Sequence, residues 1–241
     1  VSSIEEVFRI VEAGGADFGV VPVENSSEGV INHTLDLFMK SSLTISGEVE
    51  LRIRHNLMTS AADTDAIDRV YAHQQTLAQC RLWLDNNLPN AERIAVRSNA
   101  EAVIMASEHD RTAAIAGTMA SELYDLPVMY ADIEDEPNNT TRFVVIGKYE
   151  SPPSGADRTS LLVFAHNKPG SLFSLLEPLA KRNISMSNIE SRPSRRGVWE
   201  YVFFIDIDGH RDDQNVADAI ADIDKASAMV TVLGSYPRAV L

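Results

Sequence analysis

Between Tyr149 and Asp157 the sequence reads Tyr-Glu-Ser-Pro-Pro-Ser-Gly-Ala-Asp, a run of turn formers with no apolar period. Two adjacent prolines remove two backbone donors and fix φ, so neither a helix nor a central strand passes through them. The stretch reads as a linker that divides the chain into 1–150 and 158–241, each of which must bury a core of its own.

The second part restarts compactly. Its spacing predicts a strand over 159–165 and a helix over 169–182 with Pro169 near the first turn, and Pro178 is expected to kink that helix or reset its register. Strands over 184–190 and 198–207, joined by a turn at Arg195-Arg196-Gly197, a helix over 215–225 and a strand over 229–233 complete it. This is βαββαβ in about 80 residues, the ferredoxin-like arrangement. The first part alternates instead. Helices are predicted over 4–13, 30–39, 76–84 and 100–107, and strands over 18–23, 43–53, 69–72, 94–96, 113–116 and 143–146. Such alternation argues for open, largely parallel α/β sheets. Ligands of such sheets bind beyond the carboxyl ends of strands, which makes the polar loop 24–29, directly after a buried strand, a candidate.

Composition narrows the partners. Lys and Arg number 21 against 35 Asp and Glu, a net charge of −14. Nucleic acid is not expected, because phosphate neutralisation needs clustered Lys and Arg. An anionic small molecule needs a local basic pocket that opposes the global field. No apolar run approaches the roughly 20 residues that span a bilayer. The opening Val1-Ser2-Ser3-Ile4-Glu5-Glu6 has no basic stretch followed by an apolar core, so no signal peptide is readable. One cysteine, Cys80, excludes an intrachain disulfide, and a reducing cytoplasm is the plain compartment. Six histidines without i, i+4 pairing and no Gly-rich phosphate loop leave no metal and no cofactor expected.

Three segments of the first part carry polar side chains in a suggestive order: Val21-Pro22-Val23-Glu24-Asn25-Ser26-Ser27-Glu28-Gly29, the stretch from His73 to Gln79-Cys80, and Asn139-Thr140-Thr141-Arg142-Phe143. They resemble, in order and approximate spacing, the Pro-[Ile/Val]-Glu-Asn-[Ser/Thr]-x-x-Gly, His-to-Gln and Asn-x-Thr-Arg-Phe motifs of the prephenate dehydratases. The likeness covers most of residues 4–147. In the second part Asn167-Lys168-Pro169-Gly170-Ser171-Leu172 resembles the Pro-Gly-Ala-Leu loop of ACT domains, with Ser171 in place of the usual Ala. Glu190-Ser191-Arg192-Pro193 is the Glu-Ser-Arg-Pro motif of those domains unchanged.

The resemblance implies a two-lobed α/β dehydratase domain, periplasmic-binding-protein-like, followed by an α+β ferredoxin-like ACT domain. It implies that prephenate loses carbon dioxide and water to give phenylpyruvate, with feedback inhibition by phenylalanine. Thr141, Arg142 and Phe143 are then the catalytic residues. Arg142 suits a substrate carboxylate, because its fork gives bidentate charge-assisted bonds. Thr141 presents its hydroxyl to the leaving oxygen as a positioned donor. Phe143 packs under the substrate ring or simply belongs to the strand core. Asn25, Ser26, Gln79, Ser98 and Glu24 are substrate-binding candidates. Asn25 also suits a turn, and Glu24, a carboxylate beside an anionic substrate, suits bracing the loop. His73 and His55 are read as histidines that hydrogen-bond backbone, and Arg52 and Arg54 as solvent-facing.

For the effector, the resemblance implies phenylalanine held by Asn167, Pro169, Gly170, Ser171, Leu172, Glu190 and Ser191 between paired ACT domains, hence a homodimer or tetramer. The family usually opens with a Gly-rich strand–loop–helix that has no counterpart here, so an opening segment is expected to be missing. Whether a chorismate mutase domain is fused upstream stays open. Ala72 stands where Ser is common before His, and Arg97 precedes Ser98 where an acidic residue sometimes lies. The alternatives are an arogenate dehydratase and a non-catalytic phenylalanine-sensing protein.

Overall fold

A computed structural model describes residues 1, 3–166, 168–194 and 201–239. The chain opens with α1 (Ile4–Glu12), β1 (Phe18–Asn25), β2 (Gly29–Val30), α2 (Asn32–Phe38) and β3 (Thr44–Arg52). It continues through β4 (Asn56–Met58), β5 (Arg69–His73), α3 (Gln74–Gln79), α4 (Arg81–Asn87), β6 (Glu92–Val96), α5 (Asn99–Glu108), β7 (Thr112–Ala116), α6 (Thr118–Tyr124) and β8 (Val128–Tyr130). It then runs through β9 (Thr140–Gly147), β10 (Asp157–Phe164), α7 (Ser171–Lys181), β11 (Met186–Pro193), β12 (Tyr201–Asp208), α8 (Gln214–Ala226) and β13 (Met229–Pro237). The turn predicted at 195–197 lies outside the described residues.

Two compact units emerge, and they do not follow chain order. Residues 1–51 and 141–241 form one, and 52–140 the other. In the first unit, β1 pairs antiparallel with both β2 and β9 inside a sheet of order β2-β1-β9-β3. The second sheet of that unit has the order β11-β12-β10-β13. With α7 and α8 this is the ferredoxin-like βαββαβ arrangement expected from the sequence.

Every residue of β10 is buried. One face supplies Leu161 and Val163 to a cluster with Leu175 and Leu179 of α7 and Val216, Ala219 and Ile223 of α8. The other supplies Leu162 and Phe164 to a core shared with Val21 and Val23 of β1, Val144 and Ile146 of β9, and Phe8 of α1. Two-sided burial explains why its second half, Leu161-Leu162-Val163-Phe164, is a continuous apolar run. Each such side chain contributes about 1.5–3 kcal/mol. Packing of β13 on β3 needs a glycine: a Cβ at Gly234 would sit 2.1 Å from the carbonyl oxygen of Ile45.

The 52–140 unit holds a sheet of order β6-β5-β7-β4-β8. β5 pairs parallel with β6 and β7, and β4 pairs antiparallel with β7 and β8. Largely parallel sheets were expected; this sheet is mixed, and the β1 pairs are antiparallel. Short strands such as β4 and β8 carry too few residues to show a period, and they enter the sheet from distant parts of the chain. The single helix expected over 76–84 is two, α3 and α4, divided at Cys80 (φ −115°, ψ 16°). The helix α7 continues past Pro178, which is buried inside it.

Candidate active site and effector motifs

The strand β1 carries its site residues at its end, and a bulge decides where they point. Pro22 pairs with Phe143, but the register shifts before Glu24, which pairs with Arg142, and Asn25 pairs with Thr141. An extra residue in one strand re-aims every side chain after it. Alternation across the sheet then puts Asn25, Thr141 and Phe143 on one face and Glu24, Arg142 and Val144 on the other.

On the first face, the Asn25 side-chain amide donates to Thr141 Oγ1 at 2.8 Å. Both residues are buried. Asn25 Oδ1 accepts from the backbone N–H groups of Ser27 (2.9 Å) and Glu28 (3.1 Å), so the amide orientation is fixed from its far side. The turn role and the site role of Asn25 are therefore compatible. Gly29, at φ +82°, closes the loop in a conformation that side chains disfavour. Ser26 is exposed in this loop, and Phe143 is half-buried.

On the opposite face, Arg142 does not offer an open fork. Its Nη2 lies 2.6 Å from Asp206 of β12, its Nε 3.2 Å from Glu48 of β3, and its Nη1 3.5 Å from Glu24. Glu48 is also 2.5 Å from Arg158 Nη1, and Asp206 accepts from Ser160 Oγ at 2.5 Å. Burial alone would depress the Arg142 guanidinium, but Asp206, Tyr236 and Glu48 outweigh it and hold the charge well above its usual range. Burial pushes the Tyr236 phenol up as well, with Asp206 adding to it. Glu24, Arg142, Ser160 and Asp206 border a cavity of about 30 Å³, water-sized. The Arg142 guanidinium is thus engaged by three of the protein's own carboxylates, Glu24 among them.

In the 52–140 unit, Gln79 ends α3 and is half-buried. Its Oε1 lies 2.8 Å from His55 Nε2, so His55 bonds a side chain where backbone was expected. His73 does meet backbone: its Nδ1 accepts from the N–H of Gln75 at 3.3 Å. Ser98 is exposed and caps α5, its Oγ accepting from the N–H of Glu101 at 3.1 Å. Arg97, beside it, pairs with Glu101 at 2.9 Å. Burial, then Asp135 and Glu134, push the Cys80 thiol up to about 12, which removes it as a nucleophile at neutral pH. Among the described residues no group of three or more His, Cys, Asp or Glu could hold a metal, and no helix is long and apolar enough to cross a membrane.

The effector candidates among the described residues lie at the start of α7 and on β11. Pro169 and Gly170 precede α7, with Gly170 in the left-handed region at φ +80° as its N-cap. Ser171 Oγ donates to the carbonyls of His166 and Lys168. Leu172 is exposed, and Phe173 beside it is 69% exposed. Asn167 lies outside the described residues. Glu190 (half-buried) and Ser191 (exposed) lie on β11. The next residue, Arg192, donates to Asn32 Oδ1 and Asp36 Oδ1 of α2, each at 2.7 Å. Its sequence signal is the motif itself; its partners carry none.

Comparison with known proteins supplies the family. Residues 1–151 match the family model for prephenate dehydratase, and 159–225 that for the ACT domain. The chain is 52% identical over 241 residues to the bifunctional chorismate mutase/prephenate dehydratase of Pseudomonas aeruginosa, covering all of this chain and 66% of that protein. It is 40% identical over 242 residues to the prephenate dehydratase of Mycolicibacterium vanbaalenii, covering 98% of this chain and 77% of that one. The crystal structure of a prephenate dehydratase from Arthrobacter aurescens in complex with L-Phe superposes with a TM-score of 0.88 at 36% identity, over 99% of this chain and 81% of the other. The chain spans 66% of the length of the Pseudomonas relative, and it belongs to the prephenate dehydratase family, with an ACT domain after the dehydratase segment.

Proposed function

We propose that this chain catalyses the decarboxylating dehydration of prephenate to phenylpyruvate and that phenylalanine inhibits it through the ACT domain. The observation that carries the reading is the 2.8 Å bond from Asn25 to Thr141 Oγ1 across the bulged register. An oxygen that accepts from Asn25 keeps its own proton for a different acceptor, and the departing hydroxyl of prephenate is such an acceptor. The electron pair of the breaking carbon–carboxylate bond enters the ring as the hydroxyl leaves. One proton is taken up, and carbon dioxide, water and an aromatic ring result. A Thr hydroxyl is a weak acid, so Thr141 relays a proton from water or a neighbour rather than supplying one outright.

In this reading Phe143, on the same face as Thr141, lies beside the substrate ring and excludes water. Ser26 and the amide of Gln79 are each read from their motifs as substrate-orienting groups. Glu24 and Arg142 support the site from the other face, as a charge pair that holds the end of β1 against β9. Residues 1–150 act as the catalytic part and 158–241 as the regulatory part. Phenylalanine meets the Pro169–Leu172 loop and Glu190-Ser191 at a contact between two ACT domains, which requires at least a homodimer. A cytoplasmic location follows from a biosynthetic role.

The test is turnover with purified chain: prephenate against arogenate, with phenylpyruvate and phenylalanine quantified separately, and each assay repeated with added phenylalanine. Phenylpyruvate formation that phenylalanine suppresses supports the proposal. A clear preference for arogenate reassigns the substrate. Tight phenylalanine binding with no turnover of either compound replaces catalysis by sensing.

A further inference from the structure

We infer that His55 is a positioning residue for the dehydration step, holding the side-chain amide of Gln79 in one of its two orientations. The inference rests on the reading of Gln79 as a substrate-orienting amide. His55 sits just before β4 and is 5% exposed, with His55 Nε2 at 2.8 Å from Gln79 Oε1. An amide oxygen only accepts, so the ring carries its proton on Nε2. The terminal torsion of a glutamine is broad and roughly two-fold, so the side chain alone does not choose which way oxygen and nitrogen point. The bond from His55 favours one of the two. It turns the amide oxygen toward the ring and the amide nitrogen away from it.

The backbone around the pair is held by three consecutive residues. Ile133 N–H donates to the His55 carbonyl at 2.8 Å, and the His55 N–H donates to Glu134 Oε2 at 2.9 Å. Asp135 N–H donates to the Gln79 carbonyl at 2.8 Å, and its carboxylate accepts from the N–H groups of Leu82 and Trp83. The stretch 133–135 thus holds the backbone of both partners. The His55 Nδ1 is buried without a hydrogen-bond partner among the described residues. In the Nε2–H tautomer that atom is a lone pair, less costly to bury than an unmet N–H. A buried ring kept only for packing would be better served by phenylalanine, which buries no polar atom. The polar ring is explained by its one bond to Gln79.

Kinetics of four variants test this, with melting temperatures measured alongside. His55→Phe is expected to lower kcat/KM for prephenate about tenfold, the ratio one ordinary hydrogen bond holds. In a Gln79→Ala background the same change is expected to do almost nothing further, because there is no amide left to orient. His55→Gln, which retains an N–H donor, is expected to recover most of the loss. A His55→Phe chain that keeps wild-type kcat/KM overturns the inference, as does a loss that persists in full without Gln79. Gln79→Ala with wild-type kcat/KM overturns the reading of Gln79 and the inference with it. Should His55→Phe fail to fold, ring nitrogen NMR of the wild type decides. A neutral Nε2–H tautomer that changes on Gln79→Ala supports the assignment, and an Nδ1–H tautomer overturns it.

Discussion

Replacing Thr141 by valine removes one hydroxyl and keeps the shape of a β-branched side chain. Two effects of different kind follow from the geometry. The Asn25 amide, 7% exposed, loses the acceptor it meets at 2.8 Å. An unmet buried donor costs about 1–3 kcal/mol, which lowers the melting temperature by roughly 2–12 °C for a chain of this size. Asn25 keeps its two bonds to the loop N–H groups, so the loop itself should hold. Separately, on the proposed role of Thr141, the leaving hydroxyl loses its positioned donor. Proton delivery of this kind contributes about 10²–10⁴-fold, or ~2.7–5.4 kcal/mol of barrier. The assay is steady-state phenylpyruvate formation by Thr141→Val and Thr141→Ser, with thermal melts and phenylalanine binding in parallel. Serine retains the hydroxyl and should stay within about tenfold of wild type, while valine falls at least 10²-fold in kcat with phenylalanine binding intact. A valine variant within tenfold of wild type, or equal losses for both, would show that the hydroxyl does no chemistry.

Glu48→Gln should destabilise the chain by about 3–5 kcal/mol, because it leaves two arginine charges short of a buried carboxylate; in urea unfolding, adding Arg158→Met should recover part of that, and strictly additive costs would mean the cluster is not coupled. Arg192→Gln should raise the phenylalanine concentration for half-inhibition roughly fivefold or more while sparing uninhibited kcat, since it breaks the contacts of the effector strand with α2; an unchanged inhibition curve would place the coupling elsewhere. Burial disfavours the charge of Asp157, but the Ser154 hydroxyl and the N–H groups of Ser154 and Gly155 outweigh it and hold the carboxyl below its ordinary range. A depressed folded value gives stability that is present above the unfolded pKa of about 4 and lost as pH falls through the folded one. The melting-temperature gap between wild type and Asp157→Asn should therefore close on acidification below about pH 4, and a gap that ignores pH would refute the assignment.

The sequence by itself determined what depends on neighbours along the chain. The apolar periods of β1, β5 and α8 were readable because helices and strands repeat every 3.6 and 2 residues. The Pro-Pro linker, the βαββαβ order and the motifs Glu24-Asn25, Thr141-Arg142-Phe143 and Glu190-Ser191 were readable for the same reason. Adjacent residues on a strand point to opposite faces, which already places Thr141 and Arg142 on different faces of β9. Only the tertiary structure decided the rest. The bulge before Glu24 sets which face each motif residue joins, and it is a property of how β1 meets β9 rather than of either strand. Arg142 finds Asp206 and Glu24 at separations of 64 and 118 residues, and Asn25 finds Thr141 at 116. Any of the chain's many carboxylates satisfies an arginine equally well on paper; packing the two sheets face to face selects which ones reach it.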